Sequence, residues 1–257
     1  MPYREVIYRQ YAARFQGSGY RHQRGELVAY WTRAYRWFFR GWLPQGKSAR
    51  LADVGCGGGQ LIEALAGLGY RNCEGVDISE QQVGLAQQAG LNVTQGEVGP
   101  FLRSRVANYD LITAVDIAEH LTKDELLEFL EAAYLALKPG GRLILQMPNP
   151  AAPWGMKIRY GDLTHEVSLS PDCAGRLLGL VGFERSESRE CDPVPSWRRL
   201  DGTIRWVFWK LLRLPLMAFE LVETGNVSSP VYTRVYLASA IRPKSLPKSP
   251  SETHVRS

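Results

Sequence analysis

The stretch "LADVGCGGGQL", residues 51–61, decides how this chain folds. A short apolar run, "LADV", is followed by four glycines in the five positions 55–59, and then by a helix near 59–68. Glycine loses more conformational freedom on folding than any other residue, so a cluster needs a reason. It makes a tight turn, lets backbone approach a ligand, or forms a surface loop. Working outward, "CEGVD" reads as a second strand before a helix near 79–89, and "LNVTQ" as a short third strand. "YDLITAV" is a fourth strand ahead of a helix at about 123–137, and "RLILQM" is a fifth. Strands alternating with helices at this pitch predict a parallel sheet with right-handed crossovers. "FERSESRE" and "VYTRVYLASAI" add a late antiparallel pair. The expected fold is therefore a Rossmann-like α/β domain, with seven mostly parallel strands and helices on both faces.

Around that domain, 49–242, the chain carries three additions. Residues 1–48 read as an N-terminal helical cap, with Val28, Trp31, Tyr35 and Phe38 at helical spacing. Residues 192–230 are a long insertion before the last strand. The Pro/Ser-rich tail, 243–257, has a disordered composition. The chain has 257 residues, a net charge of +5 and a pI near 9.0. That charge is diffuse, which disfavours nucleic acid. Four cysteines with no C-x-x-C pair read as reduced thiols in a cytoplasmic protein without a structural metal. No uncharged run is long enough to span a bilayer.

The glycine spacing selects the ligand. A nicotinamide site needs G-x-G-x-x-G, but from Gly55 the last position is Gln60, and from Gly57 it is Ile62. What stands here is Asp53-x-Gly55-x-Gly57-x-Gly59. A carboxylate beside a diphosphate is repulsive; it suits a ligand with an ammonium and a sulfonium, such as S-adenosylmethionine. Asp77, which ends the second strand 24 residues after Asp53, stands where a doubly wound sheet meets ribose hydroxyls. Glu97, just past the third strand, is placed for an adenine amino group. A nicotinamide oxidoreductase and a silent cofactor-binding scaffold are the competing classes.

The segment from about 50 to 185 resembles a class I S-adenosylmethionine-dependent methyltransferase. "DVGCGGG", "GVDIS", "QGEV", "YDLITAVDIAEHL", "LKPGGRLILQMPNP" and "LVGFE" come in that family's order. The resemblance implies that Asp53, Gly55, Gly57, Gly59, Asp77, Ile78 and Glu97 bind the cofactor, although the family more often has Asp at the last position. It also implies that Val115 and Asp116 flank the methionine portion. Arg24 is either a ligand for that portion's carboxylate or a solvated helix charge.

Transfer to a hydroxyl usually needs a base at the carboxyl ends of the strands. His120, in "AEHL", follows the fourth strand. His165 lies in "DLTHE", where Asp162, His165 and Glu166 form a polar cluster of a base and an orienting carboxylate. The plain alternatives are a histidine bonded to a loop carbonyl and an Asx or Ser/Thr turn. Arg159, Tyr160 and Trp154 read as acceptor-pocket residues or packing, and Tyr11 and its aromatic neighbours as a lid or core. "D-x-T-H-E" also resembles methyltransferases of bacterial surface-glycan synthesis. The expected acceptor is accordingly a sugar hydroxyl of a glycan or glycolipid, with a small phenol or quinone precursor as the alternative.

The insertion is the part the common fold leaves unexplained. Wound at about 100° per residue, Arg198, Arg199, Arg205, Lys210, Arg213 and Glu220 share a sector of roughly 140° beside a Trp/Phe/Leu face. Such a strip reads as an interfacial helix on the inner membrane surface, kinked at Pro215, or as a helix packed on the domain or a dimer partner.

Overall fold

The computed structural model describes residues 24–196, 200–227 and 230–244. The expectations for Tyr11, Arg198, Arg199 and most of the tail lie outside these residues, as does the side chain of Arg24.

Helix α1 (Arg24–Phe38) leads into β1 (Leu51–Val54), α2 (Gln60–Gly67), β2 (Cys73–Asp77), α3 (Glu80–Gln88), β3 (Val93–Gln95) and α4 (Val98–Arg103). Then come β4 (Tyr109–Val115), a 3-10 turn (Ala118–His120), α5 (Lys123–Ala136) and β5 (Leu137–Pro148). Helices α6 (Gly155–Arg159) and α7 (Pro171–Val181) precede β6 (Glu184–Glu190), α8 (Leu200–Thr224) and β7 (Val235–Ile241). The strand order is β3-β2-β1-β4-β5-β7-β6. The first five run parallel, and β7 is antiparallel to both β5 and β6. The order reverses between β1 and β4, so a crevice opens at their carboxyl ends, where such sheets bind ligands.

Local chemistry starts the helices where the pattern does. Ser79 caps α3 by accepting from Gln82 N, and Ser170 caps α7 ahead of Pro171. Thr122 and Glu125 form a reciprocal capping box on α5. Strand β1 is buried at every position, as the central strand of a doubly covered sheet must be. Two apolar clusters fill its faces: α5 and α7 pack on one side, α1 and α2 on the other. All four cysteines are unbridged. Burial pushes the Cys56, Cys73 and Cys191 thiols up, so they are packing groups, not nucleophiles.

Helix α8 packs on the domain, one of the two arrangements its pattern allows. Its charged strip faces the domain: Lys210 Nζ meets Asp192 Oδ2 at 2.8 Å, and Arg213 Nε meets Glu190 Oε2 at 3.2 Å. Trp206 and Trp209 donate their indole N–H groups to the same two carboxylates. The outward side carries Ile204, Phe208, Leu211, Leu212, Leu214 and Phe219, all exposed. Buried carboxylates on the sheet edge reverse the orientation, because an uncompensated buried acid costs more than exposed leucine. The helix runs through Pro215, and among the described residues no helix is long and apolar enough to cross a membrane.

Candidate active site

The turn after β1 uses its glycines in two ways. Gly55, Gly57 and Gly59 all have positive φ, at 66°, 51° and 84°. A Cβ on Gly55 would come 2.6 Å from Ile117 Cδ1, and one on Gly59 would come 2.2 Å from Leu91 Cδ1. Those two permit close packing of the turn. A Cβ on Gly57 would have nothing nearer than the Gln60 and Gln82 side chains, at 3.8 Å. Gly57 is thus the glycine that faces open space.

Acids ring this turn. Asp53 is 2% exposed and accepts from Thr113 Oγ1 at 2.7 Å across the β1–β4 pair. Burial raises its carboxyl to about 7, with the negative charge of Asp77 adding to the effect. Asp77 accepts from the backbone N–H groups of Gly57 and Ser79, each at 2.8 Å. Its carboxyl is also raised by burial, and those two bonds partly offset the rise. Asp116 sits on a left-handed residue at the tip of β4, φ 53°, and accepts from the Gln146 amide at 3.2 Å on each oxygen. Surrounding protein pushes its carboxyl up although solvent reaches it, as expected for a group deep in an open crevice. Among the described residues, no Lys or Arg forms an ion pair with any of these three acids. Tyr35 of α1 feels the charge of both Asp116 and Asp53, which places the cap helix beside the crevice.

Beyond Asp77, the amide of Gly96 bonds the Asp77 carbonyl at 3.0 Å and draws the β3–α4 loop alongside. That loop carries Glu97, an exposed N-cap residue with no side-chain cap bond. Ile78 is 59% exposed, an apolar surface next to the acid. Val115 is half-buried and pairs with Gln146 of β5.

The other side of the β4 tip brings two distant histidines together. The His120 and His165 rings lie 4.9 Å apart at 61°. The Glu119 carbonyl accepts from the Glu166 and Val167 amides, at 2.7 and 3.2 Å, and so clamps the His165 segment onto the 3-10 turn. Asp162 accepts from the Thr164 amide at 2.9 Å and from its hydroxyl at 2.6 Å. The Thr164 hydroxyl, its proton so committed, accepts from His120 Nδ1 at 2.9 Å, and the Thr164 carbonyl lies 3.3 Å from the same nitrogen. A proton on Nδ1 leaves the His120 lone pair on Nε2. Asp162 therefore orients His120 through Thr164, an arrangement the sequence reading had placed around His165. Arg159 donates to the Glu166 carbonyl at 3.2 Å and lies 5.3 Å from the Tyr160 ring centre. Tyr160 and Trp154 are both largely exposed.

Comparison with known proteins places this geometry. A family profile described as a methyltransferase domain matches residues 20–184. The chain belongs to the methyltransferase family. Among curated relatives of this methyltransferase is a ubiquinone biosynthesis O-methyltransferase of Paraburkholderia phytofirmans. It is 35% identical over 103 residues, 38% of this chain and 43% of the relative. One of the same description from Methylococcus capsulatus is 28% identical over 153 residues, 49% and 62% of the two chains. The matches thus span about half the length of these relatives. In fold, the methyltransferase is similar to an S-adenosylmethionine-dependent methyltransferase structure from Archaeoglobus fulgidus. The TM-score is 0.61 at 22% identity, covering 91% of this chain and 99% of that one. It is also similar to a Haemonchus contortus phosphoethanolamine N-methyltransferase solved with S-adenosyl-L-methionine, at TM-score 0.54 and 15% identity, covering 88% and 59%.

The donor set of the methyltransferase fits S-adenosylmethionine. Three acids that form no ion pair with a Lys or Arg among the described residues suit a ligand carrying a sulfonium and an ammonium, and the open face of Gly57 admits it to the backbone. Sequence reasoning missed Glu119, Thr164, Gln146 and Tyr35 as neighbours of the site. The one available signal was a second acid, Glu119, beside His120 in "DIAEHL", directly past a buried strand.

Proposed function

We propose that this methyltransferase O-methylates a small phenolic or quinone-precursor acceptor. The supporting observation is the Glu119–His120–His165 cluster, which stands on the same β4 tip as Asp116, next to the donor acids. The curated relatives named for ubiquinone biosynthesis favour this acceptor class over the sugar hydroxyl that the sequence suggests.

S-adenosylmethionine supplies a methyl group on a positively charged sulfur, which keeps the bonding pair when the acceptor oxygen takes the carbon. The chain's own task is alignment, water exclusion and removal of the hydroxyl proton. Asp77 and the Gly57 backbone hold the donor end. Asp53 and Asp116 supply negative charge, and the Glu119–His120–His165 cluster draws off the proton. Arg159 and Tyr160, on the loop that carries His165, form the acceptor's outer wall.

The test is direct. The purified chain, given the donor and either a panel of catechols and phenols or a panel of sugars, should place the methyl on a phenolic oxygen by mass spectrometry. Methylation confined to the sugars would overturn the reading.

The elevated Asp53 carboxyl adds a pH signature. Cation binding needs the ionised acid, so donor affinity should be highest above pH 7. It should fall about tenfold per pH unit below that value, as the raised group takes up its proton. Asp77, Tyr35, Cys56 and Cys73 face Asp53, and none of them brings positive charge that would reverse the sign. In calorimetry with S-adenosylhomocysteine as a control lacking the sulfonium, the dependence should weaken. In Asp53→Asn it should vanish; an unchanged slope in that variant would exclude Asp53.

A further inference from the structure

We propose that Glu119, His120 and His165 form a site for a divalent transition metal of the zinc class. One ring nitrogen of each histidine and a carboxylate oxygen of Glu119 lie within 4.8 Å of one another. Proximity alone would describe any polar cluster; three further observations point to a ligand. Glu119 is 4% exposed, and its Oε2 has no hydrogen-bond partner among the described residues. Nδ1 of His165 is buried and equally unsatisfied. Leaving two such groups without partners is costly, and a cation would satisfy both. The third observation is the Nδ1–H of His120, which is spent on Thr164, itself held by Asp162. Metal-binding histidines characteristically secure their second nitrogen this way.

The donor set selects the metal. Two imidazoles and one carboxylate are borderline ligands, suited to zinc and its neighbours; magnesium and calcium prefer all-oxygen shells. Tetrahedral zinc at its usual bond lengths wants ligand atoms about 3.4 Å apart. Small side-chain rotations close the remaining distance. Three protein ligands leave a position open, which is the pattern of a reactive site and not of a structural one.

This inference rests on the acceptor side of the proposed function and deepens it. An acceptor oxygen in the open position would have its hydroxyl acidified by the cation. The proton passes to water, and the oxygen pair so freed forms the new bond to carbon. Two hydroxyls on adjacent carbons would chelate the ion as it expands from four to five ligands, so catechols are the preferred acceptors over simple phenols. His120 then acts through the metal and not directly on the proton. The sequence alone pointed to no metal, since its four cysteines form no C-x-x-C pair.

The full chain, stripped with a chelator, is titrated with zinc by calorimetry and with cobalt by visible absorption, in the absence of any donor or acceptor. One zinc per chain and a cobalt d–d band are expected. Glu119→Gln and His165→Ala should each weaken zinc binding by about 100-fold or more and abolish the band. Both variants should still bind S-adenosylhomocysteine, which shows that they fold. Absence of zinc binding in the parent, or equal zinc affinity in the variants, would overturn the site. Catechol methylation that persists undiminished in chelator would also remove the metal, while leaving the O-methyltransferase reading intact.

Discussion

With His120 replaced by alanine, turnover of a phenolic acceptor is expected to fall by about 10²–10⁴-fold, the range typical of losing a group on which removal of the hydroxyl proton depends. Affinity for the donor should hold, because the ring of His120 is held against Thr164 and His165, on the acceptor side of the β4 tip. The orienting chain sharpens the test. Thr164→Val deletes the hydroxyl that links Asp162 to the ring while keeping its shape, so it should lower kcat by less than His120→Ala does. Thr164→Ser should restore it. Steady-state kinetics beside calorimetry with S-adenosylhomocysteine separates the two effects. A His120→Ala enzyme of undiminished kcat would remove this residue from the chemistry.

The second large effect is expected on binding. Asp77→Ala should weaken the donor by about 10²–10⁴-fold, since two hydrogen bonds to a charged acceptor are lost at about 1.5–3 kcal/mol each. The same carboxylate ties the Gly57 and Ser79 amides together, so its removal also unfastens the glycine turn. Asp77→Asn keeps one oxygen as an acceptor and should fall between. Isothermal titration gives the affinity, and circular dichroism shows that the sheet is intact. Binding of parental strength in Asp77→Ala would mean that the ribose is held elsewhere.

The core of the fold was legible because periodicity is a local property. Strands β1 to β5 and helices α2, α3 and α5 announce themselves through their own alternation, cap or glycine, whereas the short helices α4 and α6 carry too few turns for a period to show. Burial of a particular atom is not local, and there the reading stopped. The angular pattern of 200–224 revealed a charged sector but not which way it turns. That depends on Glu190 and Asp192, which lie outside the helix and wait for cations on the sheet edge. Glu119 was overlooked for the same reason: beside His120 it reads as an ordinary turn residue, and only the loop from 162 to 167 folds over and buries it. The role assigned to Asp162 moved from its neighbour in sequence to a histidine 42 residues earlier, through a hydroxyl that spacing cannot reveal. The three turn glycines looked alike as letters; their different duties appear only when a Cβ is placed on each.

Asp192, at the root of α8, takes hydrogen bonds from the indole of Trp37 on one oxygen and from Trp206 and Lys210 on the other. A single buried carboxylate therefore anchors the helix that leans over the crevice and the helix whose outer side is bare. Removing that charge, as in Asp192→Asn, is therefore expected to loosen the seats of both helices together, which denaturant unfolding of the variant would read as lost stability.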